Sequence, residues 1–314
     1  MNTLTLNPTP PTHLDRLLDL VRPLGSLKMA VIHPCDAVSL GAALEAHAAG
    51  LIDPVLIGPR ERLQDLARQT GLQIGDLPIE DVPDSHAAAA RGVELALEAR
   101  VDALMKGSLH TDEIMSAVVG SKLRAGRRMS HCFVMHTPAY PRPFIITDAA
   151  INISPTLQDK VDIVRNAIDL AHAFGVPRPR VAILAAVETV NPNMPATLDA
   201  AALCKMADRG QIEGAVLDGP LAFDNAVSAA AARIKGIVSD VAGAADILVV
   251  PNLESGNMLA KQLEFLGGAA SAGIVLGARV PIVLTSRADP RESRIASCAV
   301  ALVSARGGKQ EARP

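Results

Sequence analysis

Short, continuously apolar runs alternate with longer alanine-rich stretches along almost the whole chain. The runs predict strands over 28–33 (KMAVIH), 54–57 (PVLI), 101–105 (VDALM), 132–135 (CFVM), 143–147 (PFIIT), 181–187 (VAILAAV), 214–217 (GAVL), 246–250 (DILVV) and 281–285 (PIVLT). Between most of them lie helix-length segments, such as 38–49, 112–119, 158–174, 196–208, 223–235 and 256–266. Strands that are apolar without alternation are covered on both faces, as in parallel sheets. Strands alternating with helical connections of crossover length define an α/β fold. One junction departs from this. CFVM and PFIIT are joined only by the Pro-rich turn HTPAYPR, too short for a crossover, so they are expected to pair antiparallel. The sheet or domain organisation is expected to change there, near residue 148. The ends, 1–13 and 306–314, read as frayed, and no repeat of solenoid period is present.

Composition narrows the classes of function. With 314 residues the chain has room for about two domains. Aromatic residues make up 2% of it, with no Trp, one Tyr and five Phe, and Lys+Arg at 30 against Asp+Glu at 33 leave a net charge of −3. Stacking platforms and a basic surface are both missing, which excludes a base-stacking nucleic-acid binder. Near-neutral charge also argues against an anionic membrane surface. Cys35, Cys132, Cys204 and Cys298 are scattered, with no CxxC pair, and read as buried free thiols of a reducing compartment. The Thr/Pro-rich start has no apolar h-region, and no apolar stretch reaches the ~18 residues of a membrane helix, so a cytoplasmic protein is expected.

Ligands of open α/β sheets bind beyond the carboxyl ends of the strands. Here seven strands run into polar or ionisable groups: Asp36, Lys106, Asp148, Glu188, Asp218, Asn252 and Ser286 with Arg287. That many suggests a single polar cleft. Lys106-Gly107-Ser108, with Thr111 as the expected N-cap of the next helix, suits a phosphate or other anion, although an ordinary strand–turn–helix reads the same way. Glu254, Asn257 and Lys261 share a helix face that is either solvated or turned to a ligand. Asp218 and Asp224 flank the turn GPLAF as site carboxylates or as turn and cap residues. Arg287 either pairs locally with Asp289 or Glu292 or presents its fork to an anion. His110 is the best-placed histidine. His131 and His136 point to opposite faces of their strand and, with Cys132, make a poor metal site. No GxxxxGK[ST], GxGxxG or GxSxG motif occurs, which removes the main support for nucleotide hydrolysis, a nicotinamide cofactor and a serine-hydrolase elbow. The residues alone reach an α/β enzyme with an anion-binding, carboxylate-bearing cleft.

Longer motifs go further. MKGSLHT (105–111), RRMSHCFVM (127–135), ITDAAINISPTLQDK (146–160), VDIVRNAIDLAHAFGVPRPRVAILAAVE (161–188), LDGPLAFDNAVS (217–228), PNLESGNMLAKQLEFL (251–266) and PIVLTSRAD (281–289) resemble the phosphate acetyl/butyryltransferase family from about residue 28 to 303. SRAD and DGPLAFD are more similar to the butyryltransferase-like branch and to the transferase half of enoyl-CoA hydratase/phosphate acetyltransferase fusions.

The resemblance implies reversible acyl transfer, acetyl to butyryl, between the thiol of coenzyme A and phosphate, without metal or prosthetic group. It implies two three-layer α/β/α domains with mostly parallel sheets and an interdomain cleft, as in isocitrate/isopropylmalate dehydrogenases. The first would comprise 1–147 plus 288–314 and the inserted second 148–287, usually in a homodimer or larger homo-oligomer. By motif match, Ser286 donates to the transition state and Arg287 holds the phosphate. Asn252, Glu254 and Asn257 shape the pocket, and Lys106, Ser108 and Thr111 face it from the first domain. The acetyltransferase branch carries an Asp seven positions after the Ser, where this chain has Ser293, so Asp289, Glu292 and Asp218 from across the cleft are candidate bases. That branch also has an Arg in the helix after the Thr, where this chain has Ser116-Ala117. Tyr140 falls in the hairpin turn, and Phe133, Phe144, Phe174, Phe223 and Phe265 read as core, so coenzyme A would be gripped by its phosphates, by glycine backbone and by aliphatic walls. Two rivals remain: a metal- and NAD(P)-dependent hydroxyacid dehydrogenase of similar fold, with Asp218 and Asp224 nearest to a metal cluster, and a non-catalytic acyl-CoA or acyl-phosphate sensor.

Overall fold

The computed structural model describes residues 12–286 and 288–307. Eleven strands are found among them: β1 Leu27–Ile32, β2 Ile52–Gly58, β3 Ile79–Asp81, β4 Ala103–Lys106, β5 Ser130–His136, β6 Phe144–Thr147, β7 Arg180–Leu184, β8 Val216–Leu221, β9 Ile247–Val249, β10 Ala270–Leu276 and β11 Ile282–Val283. The helices are α1 His13–Val21, α2 Ala37–Ala48, α3 Arg60–Thr70, α4 Ser85–Leu97, α5 Thr111–Val119, α6 Leu157–Ala173, α7 Pro195–Asp208, α8 Phe223–Val227, α9 Ala229–Ile234, α10 Leu253–Phe265 and α11 Arg291–Arg306. The extreme ends read as frayed lie outside the described residues, but their inner edges are ordered: the Thr12 hydroxyl caps α1 by accepting from the Asp15 amide at 3.1 Å, and Arg306 closes α11.

All eleven strands join one sheet in the order β3-β2-β1-β4-β11-β10-β5-β6-β9-β7-β8. Its two wings are parallel, β3 to β11 on one side and β6 to β8 on the other. The centre, β11-β10-β5-β6, is antiparallel. The expected β5–β6 pair is there, Cys132 opposite Thr147 and Met135 opposite Phe144.

Two strands escaped the sequence pattern. β3 is a three-residue edge piece. β10 (ASAGIVL) pairs with β5 along its length, yet begins with small residues that leave no apolar run long enough to mark it. A third difference concerns β8, which extends through Gly219-Pro220, so Asp218 lies in a strand and not at a turn. Pro220 is tolerated there because β8 is the sheet's edge and one face of its ladder has no partner to satisfy.

The faces of the sheet are packed differently, and this positions the site. On one face a single core runs across both wings: Met29 and Val31 of β1, Cys132 and Val134 of β5, Ile274 of β10 and Val249 of β9 pack with α6 and α11. On the other face the core is split. Ile32, Leu104 and Val275 pack with Ile114 and Val118 of α5. Separately, Met135, Ile146 and Leu248 pack with Leu221 and Val250, with Leu259 of α10 alongside. A cleft lies between α5 and α10, floored by β5.

The phenylalanines divide. Phe144 is buried, Phe223 is 38% and Phe265 70% exposed, and Phe133 lines the cleft. The core reading therefore fails for Phe223 and Phe265, while Phe133 packs against the core and also lines the cleft, because hydrophobicity alone does not separate a core ring from one at a helix end. The cysteines are free; Cys35, Cys132 and Cys298 are buried and Cys204 is partly so.

Candidate active site

The cleft holds about 500 Å³ and is lined by Lys106, Leu109, His110, Thr111, His131, Phe133, Ala150, Asn257, Lys261, Leu284, Thr285, Ser286 and Asp289. Three connections build it.

The first is the loop from β4 to α5. The Gly107 amide donates to the Ile32 carbonyl at 2.9 Å and the Ser108 amide to the His33 carbonyl at 2.9 Å, so the loop lies flat against the end of β1. Only glycine fits at 107, since a Cβ would stand 2.4 Å from the Ile32 oxygen. The Ser108 hydroxyl donates to the His33 carbonyl at 2.8 Å and stands 3.1 Å from His33 Nδ1. Ser108 thus staples two loops and is not among the cleft-lining residues. The N-cap of α5 is His110, not Thr111: the His110 amide donates to the Glu113 carboxylate at 3.0 Å. Glu113 is held below the usual carboxylate range, first by the Ser85 hydroxyl and then by that amide. Thr111, one residue inside the helix, turns to the cleft beside Lys106.

The second is α10. Asn252 caps it, accepting from the Ser255 amide at 3.0 Å, and Glu254 on the first turn is exposed. Neither lines the cleft. Asn257 does, with its amide donating to the Ala149 carbonyl at 3.2 Å, and so does Lys261 one turn further. The i, i+4 spacing aligns these two on one stripe.

The third is the segment after β11. Sheet pairing stops at Val283, freeing Leu284, Thr285 and Ser286 to run along the cleft. The Ser286 amide donates to Asp289 Oδ2 at 2.7 Å, and the Ala288 amide donates to the Ser286 hydroxyl at 3.2 Å. Lys261 Nζ stands 3.7 Å from Asp289 Oδ1. Arg287 lies outside the described residues.

Of the expected site residues, Lys106, Thr111, Asn257 and Ser286 therefore come together. Ser108, Asn252 and Glu254 border the same connections without lining the cleft. Asp218 is on β8, six strands from β11 and so about 29 Å across the sheet. It accepts from the Gly219 amide at 2.8 Å. The single cleft inferred from seven strand ends is smaller than expected. Asp148 is buried, accepting from the amides of Ala150, Ile151 and Asn152 at 3.0–3.1 Å. Glu188 pairs with Lys235 at 3.1 Å. Both are spent on local structure. Of the candidate bases, Asp289 lines the cleft, whereas Glu292 and Ser293 face a separate crevice beneath α1.

His131 and Phe133 carried no cleft signal in sequence, because alternation along β5 does not say which face is open. They do share a face, and His136 lies on the opposite one, stacked at 4.3 Å on His13. The His131 ring is buried, its Nδ1 has no hydrogen-bond partner, and its pKa is pulled down to about 3, chiefly by burial and then by Lys261. It is an uncharged aromatic in the cleft floor.

Two cations, Lys106 and Lys261, thus face a hydroxyl–carboxylate turn across an uncharged floor. Such a site suits transfer of a group carried on an anion. This is an α/β enzyme with a transferase-type cleft. The comparisons give the family. The model of phosphate acetyl/butaryl transferases matches residues 85–302, which include every residue lining the cleft. The chain is 58% identical over 300 residues to a phosphate acetyltransferase of Rhizobium meliloti, covering 95% of both. It is 42% identical to a phosphate butyryltransferase of Clostridium acetobutylicum, covering 88% of this chain and 93% of that one. A crystal structure of a branched-chain phosphotransacylase from Enterococcus faecalis V583 superposes with a TM-score of 0.79 at 29% identity, covering 89% of this chain and 99% of that one. The chain belongs to the phosphate acetyl/butyryltransferase family.

Proposed function

We propose that this protein is a phosphate acyltransferase that moves a short acyl group, acetyl to butyryl, reversibly between the thiol of coenzyme A and inorganic phosphate. The observation that carries the reading is the convergence of Lys106, Thr111, Asn257, Lys261, Ser286 and Asp289 on one cleft within the stretch that matches the family.

In the direction from acyl phosphate, the thiol loses its proton to Asp289 and its sulfur attacks the acyl carbonyl. A free thiol is only a few per cent ionised near neutrality, so a base beside it raises the reactive fraction. Asp289 is preferred to Asp218 as that base because it shares the cleft with Ser286. The carbonyl electrons move onto oxygen, where the Ser286 hydroxyl donates, and return as the C–O bond to phosphate breaks. Phosphate leaves as an anion toward Lys106 and, by motif match, Arg287. The scheme asks for no metal or cofactor.

The division into 1–147 plus 288–314 and 148–287 belongs to this reading, supported by the antiparallel centre between two parallel wings. So does a cytoplasmic homodimer, supported by the exposed apolar residues Ile234, Val238 and Leu266. Among the described residues no helix is long and apolar enough to cross a membrane. The test is a thiol-release assay with acetyl-, propionyl- and butyryl-CoA. Phosphate-dependent release is expected, and none with any of the three overturns the reading.

A further inference from the structure

The cleft has a polar rim and an apolar floor. Lys106, Thr111, Asn257, Lys261, Ser286 and Asp289 form the rim, while Leu109, Leu284, Ala150, His131 and Phe133 provide its uncharged surface. We propose that this floor receives the acyl chain, and that Phe133, seated against His131, sets how long a chain the enzyme accepts. The proposal rests on the acyltransferase reading above and specifies which residue selects among its substrates.

The geometry is specific to β5. Cys132 and Val134 are buried in the core of the opposite face, which directs His131 and Phe133 toward the cleft. The two rings meet edge to face, with centroids 4.3 Å apart and planes at 61°. His131 cannot retreat to make space. Gly273 of β10 lies behind it, close enough that a Cβ there would stand 2.9 Å from His131 Nε2. The Phe133 ring is thereby braced on one side by a fixed, uncharged imidazole.

On its other side, Phe133 packs against the core beneath α10, alongside Met135, Ile146 and Leu263. It therefore stands between the cleft and apolar side chains, and the Glu264 carboxylate of α10 is already paired with Lys261 at 2.7 Å and accepts from the Ser271 hydroxyl. Trimming the ring extends the cleft into an apolar region, which favours added methylenes and not water. An acyl chain needs such a dry, uncharged wall, while the thioester and phosphate need the donors of the rim. The polarity of the cleft is divided in the order the substrate requires.

The test compares kcat/KM for acetyl-, butyryl- and hexanoyl-CoA, with phosphate as acceptor, in the wild type and in Phe133→Ala, Phe133→Leu and Phe133→Trp. A methylene in an apolar pocket is worth about 10- to 200-fold in kcat/KM. Phe133→Ala is expected to raise the hexanoyl-to-acetyl ratio by at least about tenfold. Phe133→Leu should fall between it and the wild type, and Phe133→Trp should lower the butyryl-to-acetyl ratio. Should the alanine variant fail to fold, the leucine and tryptophan variants decide by their opposite shifts. Ratios that stay within twofold of wild type in active variants overturn the proposal. A wild type inert toward every acyl-CoA overturns instead the reading on which it rests.

Discussion

The backbone amide of Ser286 donates to the carboxylate of Asp289 at 2.7 Å, so the hydroxyl and the carboxylate are held on one tight turn at the rim of the cleft. Asp289→Asn keeps an oxygen for that amide and removes the base. A positioned general base contributes about 10²–10⁴ in rate. The expected result is a kcat lowered by that range at pH 7, with a melting temperature close to wild type. Steady-state thiol release paired with a thermal scan checks both halves, and an unchanged kcat would remove Asp289 from the mechanism.

Ser286 and Arg287 should separate kinetically. Ser286→Ala deletes a donor that acts on charge formed in the transition state, so kcat should drop by about 10²–10³ with little change in the KM for phosphate. Arg287→Ala deletes a partner of the bound anion, so the KM for phosphate should rise more than kcat falls. Varying phosphate at saturating acyl-CoA distinguishes the two patterns.

Gly107→Ala tests the first loop. The new methyl would lie 2.4 Å from the Ile32 carbonyl and 2.6 Å from that of His33, both backbone atoms that cannot swing aside. Overpacking of this kind costs about 1–3 kcal/mol, and here it also lifts Lys106 and Thr111 away from the cleft. Urea unfolding should show the loss, and activity should fall by more than stability explains. Unchanged values for both would mean the loop relaxes freely.

The parallel wings were legible because their strands are buried on both faces and read as unbroken apolar runs, such as Met29–Ile32 and Ile247–Val249. β10 was not, since Ala270, Ser271, Ala272 and Gly273 are chosen to fit closely against β5 and α11 and carry little hydrophobic signal. Gly273 shows the reason: its amide donates to the Ser297 hydroxyl at 2.9 Å and its missing Cβ leaves room for His131.

The site was legible where a motif ends a strand, at Lys106 and Ser286. It was illegible where a residue's role depends on which face is left uncovered. Asn252 and Ser108 look like ligand-binding polar groups in sequence, yet their hydrogen bonds close a helix cap and a loop. His131 and Phe133 look like ordinary strand residues, yet the gap between α5 and α10 turns them into the cleft floor.

His131 should leave a mark on acid stability. Its native pKa is near 3, whereas a histidine in the unfolded chain takes its proton near 6.5. Between these values the unfolded state binds more protons than the native state, so stability rises with pH and is lost as pH falls from about 6.5. One such histidine contributes at most about 1.4 kcal/mol per pH unit. His13, lowered to about 4, and His33 and His136, also lowered by burial, act in the same direction. The paired carboxylates add to the loss only at lower pH, because Glu80 and Glu113 titrate below the ordinary 4.5 in the native state. Asp148, raised by burial, acts in the opposite direction, and its contribution cancels when a histidine variant is compared with wild type. His131→Gln removes one titrating group while keeping a polar side chain. Its stability, read from urea midpoints between about pH 6.5 and about pH 5, should fall less steeply than wild type by about one proton's worth. An identical slope would mean that His131 takes up its proton in the native protein over the same range as in the unfolded chain, and the cleft floor would then become charged in mild acid.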